Sequence, residues 1–129
     1  MTIPFYCLVV AMLLPYLAKV PLAMAQAKAD GGYDNRHPRD QQAGLTGWGR
    51  RASAAHLNSF EVLPIFASAV FIAHLSGANA EWSARLSIAF IVTRVIYIAL
   101  YVSDKSTLRS LFWGFGMLSC LAMALLSAF

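Results

Sequence analysis

The chain has 129 residues, 59% of them hydrophobic and 12% charged, with a mean hydropathy of +0.60 and a net charge of +4. Soluble domains carry about 25% charged residues, and a soluble core of this length would leave too little polar side chain to coat its surface, so lipid is the better solvent. Intrinsic disorder, a collagenous repeat and a disulfide scaffold are excluded by the apolar content, the 8 Gly and the 2 Cys, and nucleic acid is not the partner implied by the positive charge. Lys28, Arg36, Arg39, Arg50 and Arg51 gather between residues 25 and 56, mixed with acids and without interleaved aromatics, as in the charged loop of a membrane protein.

Crossing about 30 Å of hydrocarbon takes roughly 20 helical residues. Four runs meet that requirement, at residues 3–24, 56–75, 82–102 and 108–128, so the expected fold is an all-α membrane protein with four transmembrane helices in a single domain, 1–129. The first run holds Pro4, Pro15, Pro21 and Lys19, which predicts a kink in its C-terminal part and a lysine snorkelling to a surface. Ala23-Met24-Ala25 looks like a signal-peptidase site, but the first six residues lack basic charge and Lys19 interrupts the apolar stretch, so cleavage is not expected. Cys7 and Cys120 sit in apolar runs and read as small buried hydrophobes.

Residues 25–50 form the one polar, glycine-containing segment, with Gly31-Gly32, Asp34-Asn35 and His37-Pro38 as turn signals, and it reads as an exposed loop. The two other links, 76–81 and 103–107, are short and make successive helices antiparallel neighbours. Basic residues concentrate in the first and third connections, which places both termini outside the cytosol. Trp48, Trp82 and Trp113 fall near span ends, where an amphipathic ring prefers to sit.

A charge within a span costs about 2.5–3.5 kcal/mol on insertion scales and needs a partner or a purpose. Asn58, Glu61, His74 and Arg94 stand in such positions. At about 100° per residue, Arg50, Arg51, Asn58 and Glu61 share one polar stripe on the second span, while His56 points elsewhere and reads as a hydrogen-bonded surface residue. Arg94, Tyr97 and Tyr101, at spacings of three and four, make a second stripe that Asp104 continues. Glu61 and Arg94 are expected to pair directly. On one reading the pair is structural glue; on the other, it joins Asn58, the tyrosines and Arg109 in a charged pocket near the inner face, suited to an anionic polar molecule.

The stretch Arg51-Ala-Ser-Ala-Ala-His-Leu-Asn58-Ser-Phe-Glu61-Val-Leu-Pro64-Ile-Phe resembles the second-helix signature of the MAPEG family, the membrane-associated proteins of eicosanoid and glutathione metabolism. The four-span layout, the long first loop, the Arg-x-x-Tyr-x-x-x-Tyr stretch at 94–101 and an arginine near the start of the last span extend the likeness over nearly the whole chain. The resemblance implies a left-handed four-helix bundle assembling as a homotrimer, with glutathione as co-substrate bound between subunits near the cytosolic side. It implies glutathione contacts from Arg51, Asn58 and Glu61, with Arg94 in the same pocket, hydrogen bonds from Tyr97 and Tyr101, and a catalytic Arg109 that holds the thiol as thiolate, the nucleophilic form. Ala54 and Val62 depart from the glutathione-using pattern, which has arginine and tyrosine there. The likeness is to the bacterial branch, implying an inner-membrane protein.

Three functions are compatible with these residues. The first is a glutathione-dependent transferase or peroxidase acting on a small apolar electrophile concentrated by the lipid. The second is a non-catalytic membrane protein of the same fold that binds another anion or a lipid. The third is a small proton-coupled exporter, in which Glu61 would be the proton carrier; the known small multidrug exporters want their glutamate in the first span, which has no acid here. No metal site is expected.

Overall fold

The computed structural model describes residues 1–128. Its helices are α1 (Ile3–Lys28), α2 (Pro38–Gly44), α3 (Gly47–Leu75), α4 (Ala80–Val102) and α5 (Ser106–Leu125). The four long ones are apolar enough to cross a membrane, and large apolar side chains such as Leu13, Leu17, Ile65, Ile72, Val92 and Leu118 point outward along them. A surface of this kind suits lipid or another apolar protein face rather than water.

α1 packs on α3 and α4, α5 packs on α4 and α3, and α3 touches α4 across the centre. Among the described residues the backbones of α1 and α5 do not approach each other closely. The C-terminal ends of α1 and α4 and the N-terminal ends of α3 and α5 therefore share one end of the bundle, here called the polar end. Small side chains let α1 and α3 approach closely: Ala11, Ala18, Ala25, Ala52, Ala55 and Ala69 are all buried. A Cβ added at Gly49 would come within 2.8 Å of the Ala25 Cβ, as expected where helices associate in lipid through backbone proximity.

At 1.5 Å per residue, α5 is about 30 Å long, α1 about 39 Å and α3 about 44 Å. α3 thus outruns the hydrocarbon layer. It begins at Gly47, well before the expected span opening at His56, because hydropathy marks what lipid holds and not where a helix starts. Likewise α1 continues through Pro15 and Pro21 to Lys28. The segment 25–50 is correspondingly more structured than an exposed loop: its first residues belong to α1, its last to α3, and α2 lies between.

Glutamines hold that segment down. Gln26 is fully buried near the end of α1, and its Nε2 donates to the Pro38 carbonyl at 3.3 Å and to Gln41 Oε1 at 3.2 Å. Gln41 returns a bond from Nε2 to the Gly32 carbonyl at 2.8 Å, and Gln42, buried on α2, reaches Gln26 Oε1 at 3.4 Å. At the short links, Gly77 and Asp104 take left-handed backbone (φ 69° and 63°), which closes the turn after each helix and is unusual for a residue with a Cβ.

The apolar core fills the other half of the bundle, toward the termini. Cys7, Ala11, Val62, Phe66, Val70, Phe90, Cys120 and Met123 form one buried cluster. Within it, the Phe66 and Phe90 rings lie parallel at 4.1 Å between centroids.

Candidate functional site

At the polar end, a buried cation sits between α3, α4 and α5. Arg94, on α4, has no exposed surface at all. Its Nη2 donates to Asn58 Oδ1 on α3 at 2.7 Å, and Asn58 Nδ2 in turn donates to Glu61 Oε2 at 2.8 Å. The expected direct Glu61–Arg94 pair is thus absent, and a relay through the Asn58 amide stands in its place. The reason is positional: Glu61 lies on the outer, exposed side of α3, three residues beyond Asn58, and Asn58 takes the inner position that faces Arg94.

Arg94 is only partly satisfied. Its Nε and Nη1 are buried and find no hydrogen-bond partner among the described residues. A buried, unmet donor is costly, and a buried charged one more so. The guanidinium lies over the Tyr97 ring at 3.9 Å to the centroid, an attraction that offsets part of this cost. Room for the side chain comes from Gly116 on α5, where an added Cβ would lie 3.2 Å from Thr93 Oγ1 and 3.7 Å from Arg94 Cδ.

The contacts continue across α4 to α5. Tyr97 meets Tyr101 edge to face at 5.6 Å, and the Arg109 guanidinium, on the first turns of α5, covers the Tyr101 ring at 4.4 Å. Tyr97, Tyr101, Arg109, Ser110 and Trp113 line a pocket of about 200 Å³. Six of the seven expected site residues therefore make one continuous series, Glu61–Asn58–Arg94–Tyr97–Tyr101–Arg109. Arg51 stands apart: its Nε donates to the Val102 carbonyl at 3.2 Å and ties the start of α3 to the end of α4.

A MAPEG family model matches residues 3–129, essentially the whole chain. The chain belongs to the MAPEG family. It is accordingly a multi-pass membrane protein with the four-helix bundle that the signature at 51–66 implied. Searches of curated proteins and of solved structures find no match.

In this MAPEG protein the two departures from the glutathione-using pattern have different structural meanings. Ala54 is partly exposed at the polar end, where Arg39, Gln42 and Arg50 line the same cavity. Val62 is buried in the apolar cluster, so its side chain turns away from the face that carries Glu61. His56 corrects an expectation: it is buried, and its Nδ1 lies 2.7 Å from the Pro15 carbonyl. A carbonyl only accepts, so Nδ1 carries the proton. His74 is exposed in the last turn of α3, edge-on to Phe5 at 5.0 Å. Gln26, Gln41, Gln42 and Gly116 escaped the sequence reading; the one available signal was three glutamines within a segment otherwise rich in turn residues.

Proposed function

We propose that this MAPEG protein binds glutathione as a co-substrate along the Arg94–Tyr97–Tyr101–Arg109 series and acts as a transferase or peroxidase on small apolar electrophiles drawn from the lipid. The observation that carries the reading is the Arg109–Tyr101–Tyr97 pocket with the half-satisfied Arg94 behind it. Its donors suit an anion, and the carboxylate of Glu61 at the other end suits an ammonium, the charge pattern of glutathione. Glutathione supplies a thiol with a free pKa near 8.5, nucleophilic once deprotonated. Arg109 favours the anionic sulfur beside it, aided by the positive end of the α5 dipole. Tyr97 and Tyr101 orient the peptide, Asn58 fixes Arg94, and the surrounding lipid concentrates the electrophile.

The same reading includes a homotrimer. Glu61 is exposed midway along α3, where hydrocarbon would surround it in a lone protomer at a cost of about 2.5–3.5 kcal/mol. Cover by neighbouring copies removes that cost and encloses the pocket, and native mass spectrometry is expected to return a trimer. We place the polar end in the cytosol of a bacterial inner membrane, with both termini outside, because the basic residues of 25–51 gather there. A single cysteine introduced at Asn35 should then resist an impermeant reagent applied to intact cells.

Titration of the detergent-purified protein with glutathione, followed through the ultraviolet absorbance of the thiolate, tests the catalytic reading. A thiolate band that Arg109→Ala abolishes supports it. The missing arginine at Ala54 favours a second reading, a non-catalytic MAPEG-fold protein that binds another anion or a lipid, and the absence of any band at saturating glutathione would select it.

A further inference from the structure

On the opposite side of the polar end, between α1, α2 and α3, lies a cavity of about 390 Å³ lined among others by Tyr16, Lys19, Tyr33, Arg39, His56 and Phe60. None of these residues belongs to the series around Arg94, and neither α4 nor α5 contributes to the lining. Two cations, the half-buried Lys19 and the exposed Arg39, face one open groove whose lining contains no acid. The described ion pairs are His37–Asp34 and Arg85–Glu81, so neither Lys19 nor Arg39 is neutralised. The hydrogen bond from Lys19 Nζ goes to a neutral acceptor, Gln26 Oε1, at 3.3 Å. Like charges held together at the membrane border repel, and an anion between them would turn that repulsion into attraction.

Depth and surroundings identify the kind of anion. Lys19 stands about 24 Å along α1 from Ile3, close to the limit of a hydrocarbon layer about 30 Å thick. Arg39 belongs to α2, outside the apolar spans and pinned over the polar end by the glutamines. The cavity therefore straddles the border between acyl chains and headgroups. One turn toward the membrane centre, Tyr16 precedes Lys19 on α1 and Phe60 follows His56 on α3. Their rings meet edge to face at 6.3 Å and are 62% and 43% exposed. Leu13, Leu17 and Leu57 continue the apolar surface. A ligand that fits carries negative charge at one end and hydrocarbon at the other.

We propose that this cavity is a binding site for the phosphate of an anionic glycerophospholipid, held between Lys19 and Arg39 with its acyl chains over Tyr16 and Phe60. His56, whose Nδ1 is committed to the Pro15 carbonyl, presents Nε2 as the ring's acceptor and suits a headgroup hydroxyl. The site is independent of the glutathione reading.

The test uses the full chain in neutral detergent, with dioleoyl phosphatidylglycerol, dioleoyl phosphatidylcholine or inorganic phosphate added and bound lipid counted by native mass spectrometry. Phosphatidylglycerol is expected to be retained about ten-fold or more over phosphatidylcholine, the scale set by two cations at a membrane surface. The double variant Lys19→Gln, Arg39→Gln should lose that preference, whereas Lys19→Arg, which keeps the charge, should preserve it and shows that the position tolerates change. Arg109→Ala, on the other face, should leave it intact. Equal retention of the two lipids, or a preference that survives the double variant, overturns the proposal. So does protection from thermal unfolding by inorganic phosphate equal to that by phosphatidylglycerol, which would mark a soluble-anion site. A double variant that falls to a smaller oligomer while keeping its lipid would mean that a second copy covers this face, and would overturn it too.

Discussion

Toward the termini the bundle closes on Phe66, Phe90, Val70 and Met123, none with more than 1% of its surface exposed; at the polar end the same helices close on Arg94, two of whose nitrogens meet no partner among the described residues. The apolar half asks nothing of its surroundings, since lipid and protein interior are equally apolar and close packing alone decides its stability. The polar half is less fully satisfied. Its relay, its half-satisfied guanidinium and its exposed Glu61 leave polar groups unmet within the described residues, and a structure that needed only a stable bundle would gain by filling Arg94's place with a hydrocarbon side chain.

Substitutions that separate the halves should differ most in the apolar one. Phe66→Ala removes one ring of the Phe66–Phe90 stack and leaves a cavity; the expected loss is about 3 kcal/mol, the low end for such a change because the unfolded helices remain in an apolar solvent. Thermal or detergent-induced unfolding in micelles measures it, and a negligible loss would erase the contrast. Next in size comes Asn58→Ala, which strips Arg94 of its one hydrogen-bond partner on α3 and should cost about 1–3 kcal/mol. Adding Arg94→Met should return much of that stability, because no buried charge is then left unpaired; a double variant less stable than Asn58→Ala would show that the guanidinium itself holds the helices together.

Gly116→Ala sits at the join between the halves. Its new Cβ would press on Thr93 Oγ1, which is engaged with the Phe90 carbonyl at 2.7 Å, and a cost of about 1 kcal/mol is expected from the overpacking. Smallest are the effects at the edge of the series. Glu61→Gln and Arg109→Ala should each leave stability within about 1 kcal/mol, since both side chains reach the surface and a glutamine at 61 still accepts from Asn58. Glutathione titration then distinguishes them: on the proposed function, Arg109→Ala abolishes the thiolate band and Glu61→Gln weakens binding without removing it. A full thiolate signal from Arg109→Ala would refute the catalytic assignment.

What the chain discloses before folding follows from the length scale of each interaction. The four spans are legible because lipid imposes one rule, about 20 apolar residues, on each helix separately. The two polar stripes are legible because a helix wheel needs only the residues of its own helix. The Asn58 relay is not, because a wheel places Asn58, Glu61 and Arg94 on facing surfaces without saying which side chain lies between the other two. α2 escapes for a related reason: a helix of 7 residues has little stability of its own, and the side chains that hold it, Gln26 and Gln41, look like ordinary polar residues of a connection. Val62 shows the opposite failing. As the residue after Glu61 it belongs by likeness to the candidate site, yet its direction on α3 assigns it to the apolar cluster, and a tyrosine placed there would overpack the core.

The two free cysteines give this architecture a clock. Cys7 on α1 and Cys120 on α5 are buried in the same cluster, so a thiol reagent reaches either one only when the packing around it opens, and each labelling rate, divided by that of the unfolded chain, measures that opening. Among the described residues the backbones of the two helices do not approach each other closely. Equal rates would mean that the whole apolar half opens as one cooperative unit; unequal rates would mean that the outer helices detach one at a time from a standing α3–α4 pair.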